Sequence, residues 1–302
     1  MKSNVALYTG LALFAGGGGL ELGLKLALGE HYRTVAYVEL EASSAAVLAT
    51  QMERGWLDKG VIWDDVTSFT GDVVSPFVDR IDIISAGFNC QPWSYAGSRK
   101  GAEDDRYLWP NIAEILGTIH PEWAFFENVP GLLRGGLGPI LSDLTSLGFD
   151  AEWITVRASE VGAPHRRARV FILAHGSSRR SQVGNTQPSR AVTEQRSSYV
   201  GNADSQRRRT QGDSELTPAG IGGGCRPFPW PPSPESTEDW REVIEVRPDL
   251  APAVKPEVRG MDDGVARGLA RTQQLRILGN GVVPQQAALA FQILKERIDA
   301  QD

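Results

Sequence analysis

The first 175 residues alternate between short apolar segments and segments with helical periodicity, and this feature constrains the fold most. Strands are predicted at 11–14, 34–39, 61–64, 81–86, 123–127, 151–156 and 170–174. Helices are predicted between several of them, at 20–28, 42–54, 110–119 and 137–147. Strands that alternate with helices in this way favour an α/β fold, in which helices cover both faces of a parallel sheet.

The composition changes sharply after Ala174. Residues 175–224 are rich in Ser, Arg, Gln, Thr, Asn and Gly and poor in large apolar residues. Such a stretch is typical of a disordered linker or of a recognition region built from loops. Residues 269–297 then predict a loop and an amphipathic helix that needs a partner face, most simply the first domain. We therefore expect three parts: a catalytic domain at 1–175, a second domain at 176–270, and a C-terminal segment at 271–302.

Charge and composition narrow the class of protein. The formal net charge of −6 argues against a protein that coats nucleic acid non-specifically, although local clusters of arginine occur. Two cysteines, Cys90 and Cys225, are too few for a disulfide framework, and with four scattered histidines they predict no metal site. Because no long apolar run and no signal pattern occur, we expect a cytoplasmic protein without a membrane partner.

A glycine-rich segment, Gly16 to Gly19, joins the first predicted strand to the first predicted helix. Glycine allows a ligand to approach the backbone closely, and the start of a helix offers free N–H groups. Glu39 ends the next strand, twenty residues after Gly19, where a carboxylate accepts hydrogen bonds from ribose hydroxyls. Asp65, at the end of the third strand, is placed to read an adenine amino group. Together these residues predict a site for a nucleoside-bearing cofactor without saying which one, and a nicotinamide dinucleotide stays open here.

A thiol follows the fourth predicted strand. The apolar run 81–88 predicts a buried strand, and the loop that carries Cys90 continues into Gln91-Pro92-Trp93-Ser94, which cannot extend it. A cysteine on such a loop is placed to act as a nucleophile. A free cysteine is also often a small buried hydrophobe, so the local sequence leaves both interpretations open.

Five motifs occur in a fixed order along the chain. They are Phe14-Ala15-Gly16-Gly17-Gly18-Gly19, Gly87-Phe88-Asn89-Cys90-Gln91-Pro92-Trp93-Ser94, Glu127-Asn128-Val129, His165-Arg166-Arg167-Ala168-Arg169 and Leu278-Gly279-Asn280-Gly281-Val282-Val283-Pro284. In this order and spacing they closely resemble the motifs of DNA (cytosine-5) methyltransferases of bacterial or phage type, and the resemblance covers nearly the whole chain. It implies a Rossmann-like sheet for a methyltransferase dependent on S-adenosylmethionine, mostly parallel with one antiparallel strand. It also implies that residues 176–270 form a small, loop-rich target-recognition domain.

The resemblance implies roles for individual residues. Cys90 would be the nucleophile, Glu127 the acid that engages cytosine, and Arg167 and Arg169 would hold the flipped base and neighbouring groups. The residues implied to bind S-adenosylmethionine are Phe14, Ala15, Gly16, Gly17, Gly18, Gly19, Leu20, Glu39, Asp65, Val66, Leu108, Asn280, Gly281 and Val282. Attack by a thiolate on carbon 6 activates carbon 5 for methylation, and the cytosine must leave the base stack to be reached.

The implied partner is double-stranded DNA, bound by a monomer. The candidate DNA contacts are Gln91, Ser94, Arg179, Arg180, Arg207, Arg208 and Arg209. Arginine suits both phosphates and base edges because its planar guanidinium bonds to them bidentately. The resemblance extends to enzymes of restriction-modification systems but does not give the sequence that is recognised.

The chain departs from the family pattern at Asn89, where the family usually has proline before the nucleophile. Proline would stiffen the catalytic loop, whereas asparagine tolerates turns and adds hydrogen-bonding groups. Ala12 and His165 replace the aspartate and glutamine that are common at their positions. We expect methyl transfer to be retained because Cys90, Glu127 and Arg169 are present.

Three other functions are compatible with parts of the sequence. An RNA cytosine methyltransferase would share the fold, although the long recognition segment favours DNA. A catalytically impaired DNA-binding protein is suggested by Asn89. A nicotinamide oxidoreductase would leave Cys90, Glu127 and the arginine motif without a role.

Overall fold

The computed structural model describes residues 7–88, 108–163, 165–176 and 271–301. All of these residues belong to one compact unit, which joins residues 1–179 to residues 230–302. The strands are β1 (Tyr8–Leu13), β2 (Tyr32–Val38), β3 (Val61–Trp63), β4 (Ile83–Ala86), β5 (Trp123–Asn128), β6 (Phe149–Arg157) and β7 (Ala168–Gly176). The helices are α1 (Gly19–Leu28), α2 (Ala42–Glu53), α3 (Trp109–Ile119), α4 (Leu137–Ser146), α5 (Arg271–Asn280) and α6 (Pro284–Asp299).

The strands form one seven-stranded sheet in the order β3-β2-β1-β4-β5-β7-β6. The first five strands in this order are mutually parallel, and β7 is antiparallel to both β5 and β6. A single strand therefore runs against the rest, and the predicted fold class is confirmed.

The central strands are apolar because helices cover both of their faces. In β4 and β5 every residue is buried. Ile84 and Phe126 belong to the cluster that contains the inner faces of α3 and α4, whereas Ile83 and Phe125 pack with α1 and α6. Successive residues thus point to opposite layers, as the strand period of two requires.

The C-terminal helix α6 packs its apolar face against α1. A side chain at Gly23 would place its Cβ 2.6 Å from the Ala287 Cβ and 2.8 Å from the Pro284 carbonyl oxygen. Glycine is therefore required for this close crossing. The contact brings the segment before α6 alongside the start of α1, where Gly19 approaches the Val282 carbonyl oxygen.

Helix α5 differs from the sequence expectation, which placed a loop before the last helix. Its sequence is polar, and it ends in Gly279-Asn280, a pair that usually favours a turn. Tertiary contact explains the helix: Ile277 is buried, and it lies above Gly17, where an added Cβ would be 3.6 Å from its methyl group. Such a contact between distant segments overrides weak local propensity.

In the stretches that the structure describes, no helix combines the length and apolar character needed to cross a bilayer. The predicted division of the chain into domains at 1–175, 176–270 and 271–302 stays a prediction, since residues 177–270 lie outside the described part of the chain.

Candidate functional site

The glycine loop between β1 and α1 is shaped by left-handed backbone conformations. Phe14, Gly16 and Gly18 have φ angles of 53°, 56° and 79°. Ala15 donates its N–H to the Val38 carbonyl oxygen at 3.1 Å, and Gly18 donates to Ala15 at 2.8 Å. These bonds hold the loop against the end of β2 and leave the start of α1 open toward a cavity.

Glu39 follows β2 and is tied to this loop. The Gly16 N–H donates to its Oε2 at 2.7 Å, and the Glu41 N–H donates to its Oε1 at 2.8 Å. Burial raises the pKa of Glu39, and the two backbone hydrogen bonds oppose that rise. Each carboxylate oxygen has a second lone pair, so the group can accept further hydrogen bonds from a ligand.

A cavity of about 640 Å³ lies over the ends of β1, β2, β4 and β5. It brings together twelve of the predicted site residues: Phe14, Ala15, Gly16, Gly17, Gly19, Leu20, Glu39, Glu127, Arg169, Asn280, Gly281 and Val282. In parallel α/β sheets ligands bind at the carboxyl ends of the strands, which is where these residues meet.

An ion pair between Glu127 and Arg169 lies at the other side of the cavity. The Arg169 Nε is 2.7 Å from the Glu127 Oε1, and both side chains are largely buried. The strand pairing explains this contact. Because β5 and β7 are antiparallel neighbours, the C-terminal end of β5, which carries Glu127, lies beside the N-terminal end of β7, which carries Arg169. Burial raises the pKa of Glu127, while the charges of Arg169 and Arg167 lower it.

Asn128 connects this pair to the strand that precedes Cys90. Its Nδ2 donates to the Phe88 carbonyl oxygen at 3.1 Å, and its Oδ1 accepts the Val129 N–H at 2.9 Å. A Cβ at Gly87 would lie 3.6 Å from the Glu127 Oε2. The backbone that leads toward the cysteine therefore passes directly beside the buried acid.

Some predicted residues do not line this cavity. The Asp65 Oδ1 accepts the Thr67 N–H at 2.9 Å and caps a short 3-10 helix, while Val66 packs into the core. Leu108 and Gly18 also lie outside the lining. Arg167 donates to the carbonyl oxygens of Gly279 and Gly281. The remaining predicted residues lie outside the described part of the chain: Cys90, Gln91, Ser94, Arg179, Arg180, Arg207, Arg208 and Arg209.

Glu21 is a buried acid that the sequence analysis missed. It is 1% exposed, and the Ser85 hydroxyl donates to its Oε1 at 2.9 Å. Its Oε2 has no partner, and burial raises its pKa to about 7. The available clue is helical spacing, because Glu21 shares the inward face of α1 with Leu20 and Leu24.

Two further features at the mouth of the cavity were also missed. Leu40 follows Glu39, is 73% exposed, and lines the cavity with an apolar side chain. Arg276 on α5 forms a 3.1 Å ion pair with Glu41, so α5 is tied to the start of α2 across the opening. This ion pair depends on α5, a helix that the local sequence did not predict.

Among the described residues, no group of three or more histidine, cysteine, aspartate or glutamate side chains is placed to hold a metal ion.

Comparison with known proteins bears on the identity of the chain. The Type II methyltransferase M.CviJI of Paramecium bursaria Chlorella virus IL3A is 34% identical over 166 residues, which cover 54% of this chain and 42% of that protein. M.NgoMIV of Neisseria gonorrhoeae is 33% identical over 171 residues, 55% of this chain and 51% of that protein. The chain thus spans about half the length of these relatives. The structure of S. pombe Dnmt2 methyltransferase aligns with a TM-score of 0.45 and 21% identity, over 56% of this chain and 50% of that one.

The family model for C-5 cytosine-specific DNA methylases matches residues 8–218, more than half of the 302 residues. The matched range begins with β1 and extends past β7, so it includes the glycine loop, Glu39 and the Glu127–Arg169 pair. The chain therefore belongs to the C-5 cytosine-specific DNA methylase family.

Proposed function

We propose that this chain transfers a methyl group from S-adenosylmethionine to carbon 5 of a flipped-out cytosine in a specific duplex DNA sequence, through a covalent adduct with Cys90. One observation carries the proposal: one cavity is lined both by Glu39, which is bound to the glycine loop, and by the buried Glu127–Arg169 pair. A methyl donor and a pyrimidine ring must meet in such a space.

The cavity suits S-adenosylmethionine on several counts. Glu39 offers free lone pairs to the ribose hydroxyls, and Leu40 offers an apolar surface to the adenine ring. The glycine loop and the start of α1 offer N–H groups to the methionine carboxylate. When bound, the cofactor supplies a methyl group on a sulfonium centre.

Cys90, Glu127 and Arg169 then have separate roles in the reaction of cytosine. The Cys90 thiolate forms a bond to carbon 6, and carbon 5 becomes nucleophilic enough to take the methyl group. A base from the solvent takes the proton from carbon 5, and the electrons of that C–H bond re-form the 5,6 double bond. The sulfur–carbon bond breaks in the same step, so methylcytosine is released and the thiolate is restored. Protonated Glu127 donates to ring nitrogen 3, and Arg169 donates to the exocyclic oxygen, so both offset charge that builds in the ring.

The proposal is tested with labelled S-adenosylmethionine and duplexes that contain 5-fluorocytosine, which retains fluorine at carbon 5 and traps the adduct. We expect a covalent adduct with the unmodified protein and none with Cys90→Ser. Cys225→Ser, in the variable segment, should keep activity. Sequencing of the methylated duplex would also give the recognition site.

Other outcomes would favour the alternatives. DNA binding without adduct or methylation would indicate an impaired homologue, and activity restored by Asn89→Pro would assign the defect to the catalytic loop. Methylation of RNA in preference to duplex DNA would indicate the RNA enzyme. The DNA contacts proposed at Arg179, Arg180 and Arg207 to Arg209, and the monomeric state, stay predictions.

Glu39→Gln is expected to weaken S-adenosylmethionine binding by about tenfold or more, the effect of a lost hydrogen bond to a charged group. An amide would place its NH₂ against the N–H of Gly16 or Glu41, so one loop contact must break. Isothermal titration calorimetry measures the change, with Glu53→Gln on the exposed end of α2 as a charge-matched control. Equal affinity in the two variants would contradict this role of Glu39.

A further inference from the structure

The Arg167 side chain is bound to the segment between α5 and α6. Its Nη2 lies 2.7 Å from the Gly279 carbonyl oxygen and 2.6 Å from the Gly281 carbonyl oxygen. A guanidinium Nη2 carries two N–H groups, so both are used on these carbonyls. The residues that it joins are more than a hundred positions apart in the sequence.

The backbone of Arg167 is held separately, by Gln286 at the start of α6. The Gln286 side chain is fully buried, and its Nε2 donates to the Val156 carbonyl oxygen at 2.6 Å and to the Arg167 carbonyl oxygen at 2.9 Å. Because both amide N–H groups are used, Gln286 fixes Arg167 against the end of β6. The main chain and the side chain of Arg167 are thus both fixed to the C-terminal segment.

The segment that Arg167 holds is a wall of the cofactor cavity. Asn280, Gly281 and Val282 line that cavity, and the Gly281 N–H donates to the Ile277 carbonyl oxygen at 2.8 Å. Val282 in turn lies against Gly19 at the start of α1. Two residues after Arg167, Arg169 pairs with Glu127 on the other side of the same cavity.

We propose that Arg167 is a positioning residue for the cofactor: it sets S-adenosylmethionine affinity by holding the 279–281 turn, and it does not contact the flipped base. This inference rests on the proposed function. It gives Arg167 a role different from the one that the family resemblance implied. Arg169, paired with Glu127, stays the arginine that acts on the base.

The test separates cofactor binding from chemistry. Calorimetry without DNA gives the dissociation constant for S-adenosylmethionine, and single-turnover methylation at saturating cofactor gives the rate constant. For Arg167→Met we expect the affinity for S-adenosylmethionine to fall about ten- to a hundredfold. The 279–281 turn then loses a charged donor to two of its carbonyls, so part of the binding free energy is spent on ordering this wall of the cavity. The rate constant at saturation and the affinity for DNA should change by no more than about twofold.

Two further variants make the result specific. Arg167→Lys keeps a cation with N–H donors, so it should bind S-adenosylmethionine more tightly than Arg167→Met does. If Arg167→Met does not fold, the comparison of Arg167→Lys with the unmodified protein tests the role of Arg167. Arg166→Met removes the exposed neighbouring arginine and should leave cofactor affinity unchanged. Thermal unfolding verifies that the variants compared are folded.

The opposite pattern would overturn the inference. Unchanged cofactor affinity with a large fall in the saturated rate constant or in DNA affinity would mean that Arg167 acts on the base or the DNA. If the unmodified protein itself binds no S-adenosylmethionine, the proposed function fails, and this inference fails with it. Binding by the unmodified protein and equally tight binding by both Arg167 variants would overturn this inference alone.

Discussion

Glu127→Gln is expected to lower the rate constant for methyl transfer by about 10²–10⁴-fold, the usual contribution of a positioned general acid. Glutamine has the same shape and still offers an oxygen to Arg169, but it has no acidic proton to give to ring nitrogen 3. Burial already favours the protonated form of Glu127 by raising its pKa. Single-turnover kinetics at saturating cofactor measures the loss, and cofactor affinity should be nearly unchanged.

The control for this variant is Glu114→Gln, the same change on the exposed side of α3. It should methylate at the rate of the unmodified protein. Arg169→Met offers an independent check, because Arg169 lowers the pKa of Glu127. Without it the pKa of Glu127 rises further, so the residual activity should persist to higher pH before it declines. A Glu127→Gln protein with full activity would remove Glu127 from the mechanism.

Glu21→Gln is expected to make the protein more stable at pH 8 by about 3 kcal/mol, at 1.36 kcal/mol for each pKa unit. The pKa of Glu21 is about 7 in the folded protein, against an ordinary value of 4.5. Below pH 4.5 Glu21 is protonated in both the folded and the unfolded protein, so its burial carries no cost of ionisation. Between pH 4.5 and 7 the unfolded chain has released this proton while the folded protein still holds it, so the free energy of unfolding falls across this range and levels off above pH 7.

Urea unfolding at several pH values between 4 and 8 tests this expectation. The two proteins should be similar near pH 4 and diverge as pH rises, since glutamine has no proton to lose. Glutamine keeps an oxygen for the Ser85 hydroxyl, so the hydrogen bond between α1 and β4 is retained. Glu53→Gln, at an exposed position, should follow the unmodified protein. Parallel curves for Glu21→Gln and the unmodified protein would show that Glu21 titrates normally.

Much of the sheet could be predicted because buried strands carry a strong local pattern. The segment that forms β5 is apolar up to Glu127, and both the predicted strand at 123–127 and the observed Trp123–Asn128 reflect this. Helix α5 was not predicted, because its own sequence is polar and its helical state depends on the contact of Ile277 with the glycine loop. The predicted strand at 11–14 ends one residue earlier in the structure, because Phe14 has a left-handed backbone conformation that ends β1.

The sequence by itself determined the family motifs, the α/β sheet, and the placement of Glu39 beside the glycine loop. These follow from local composition and from the rule that parallel strands end at one edge. Only the tertiary structure decided that Glu21 is a buried acid with a raised pKa and that Arg167 holds the 279–281 turn. Desolvation in the packed core raises the pKa of Glu21, and hydrogen bonds between segments more than a hundred residues apart hold Arg167. Helical spacing indicates that Glu21 faces inward, but it gives neither of these properties.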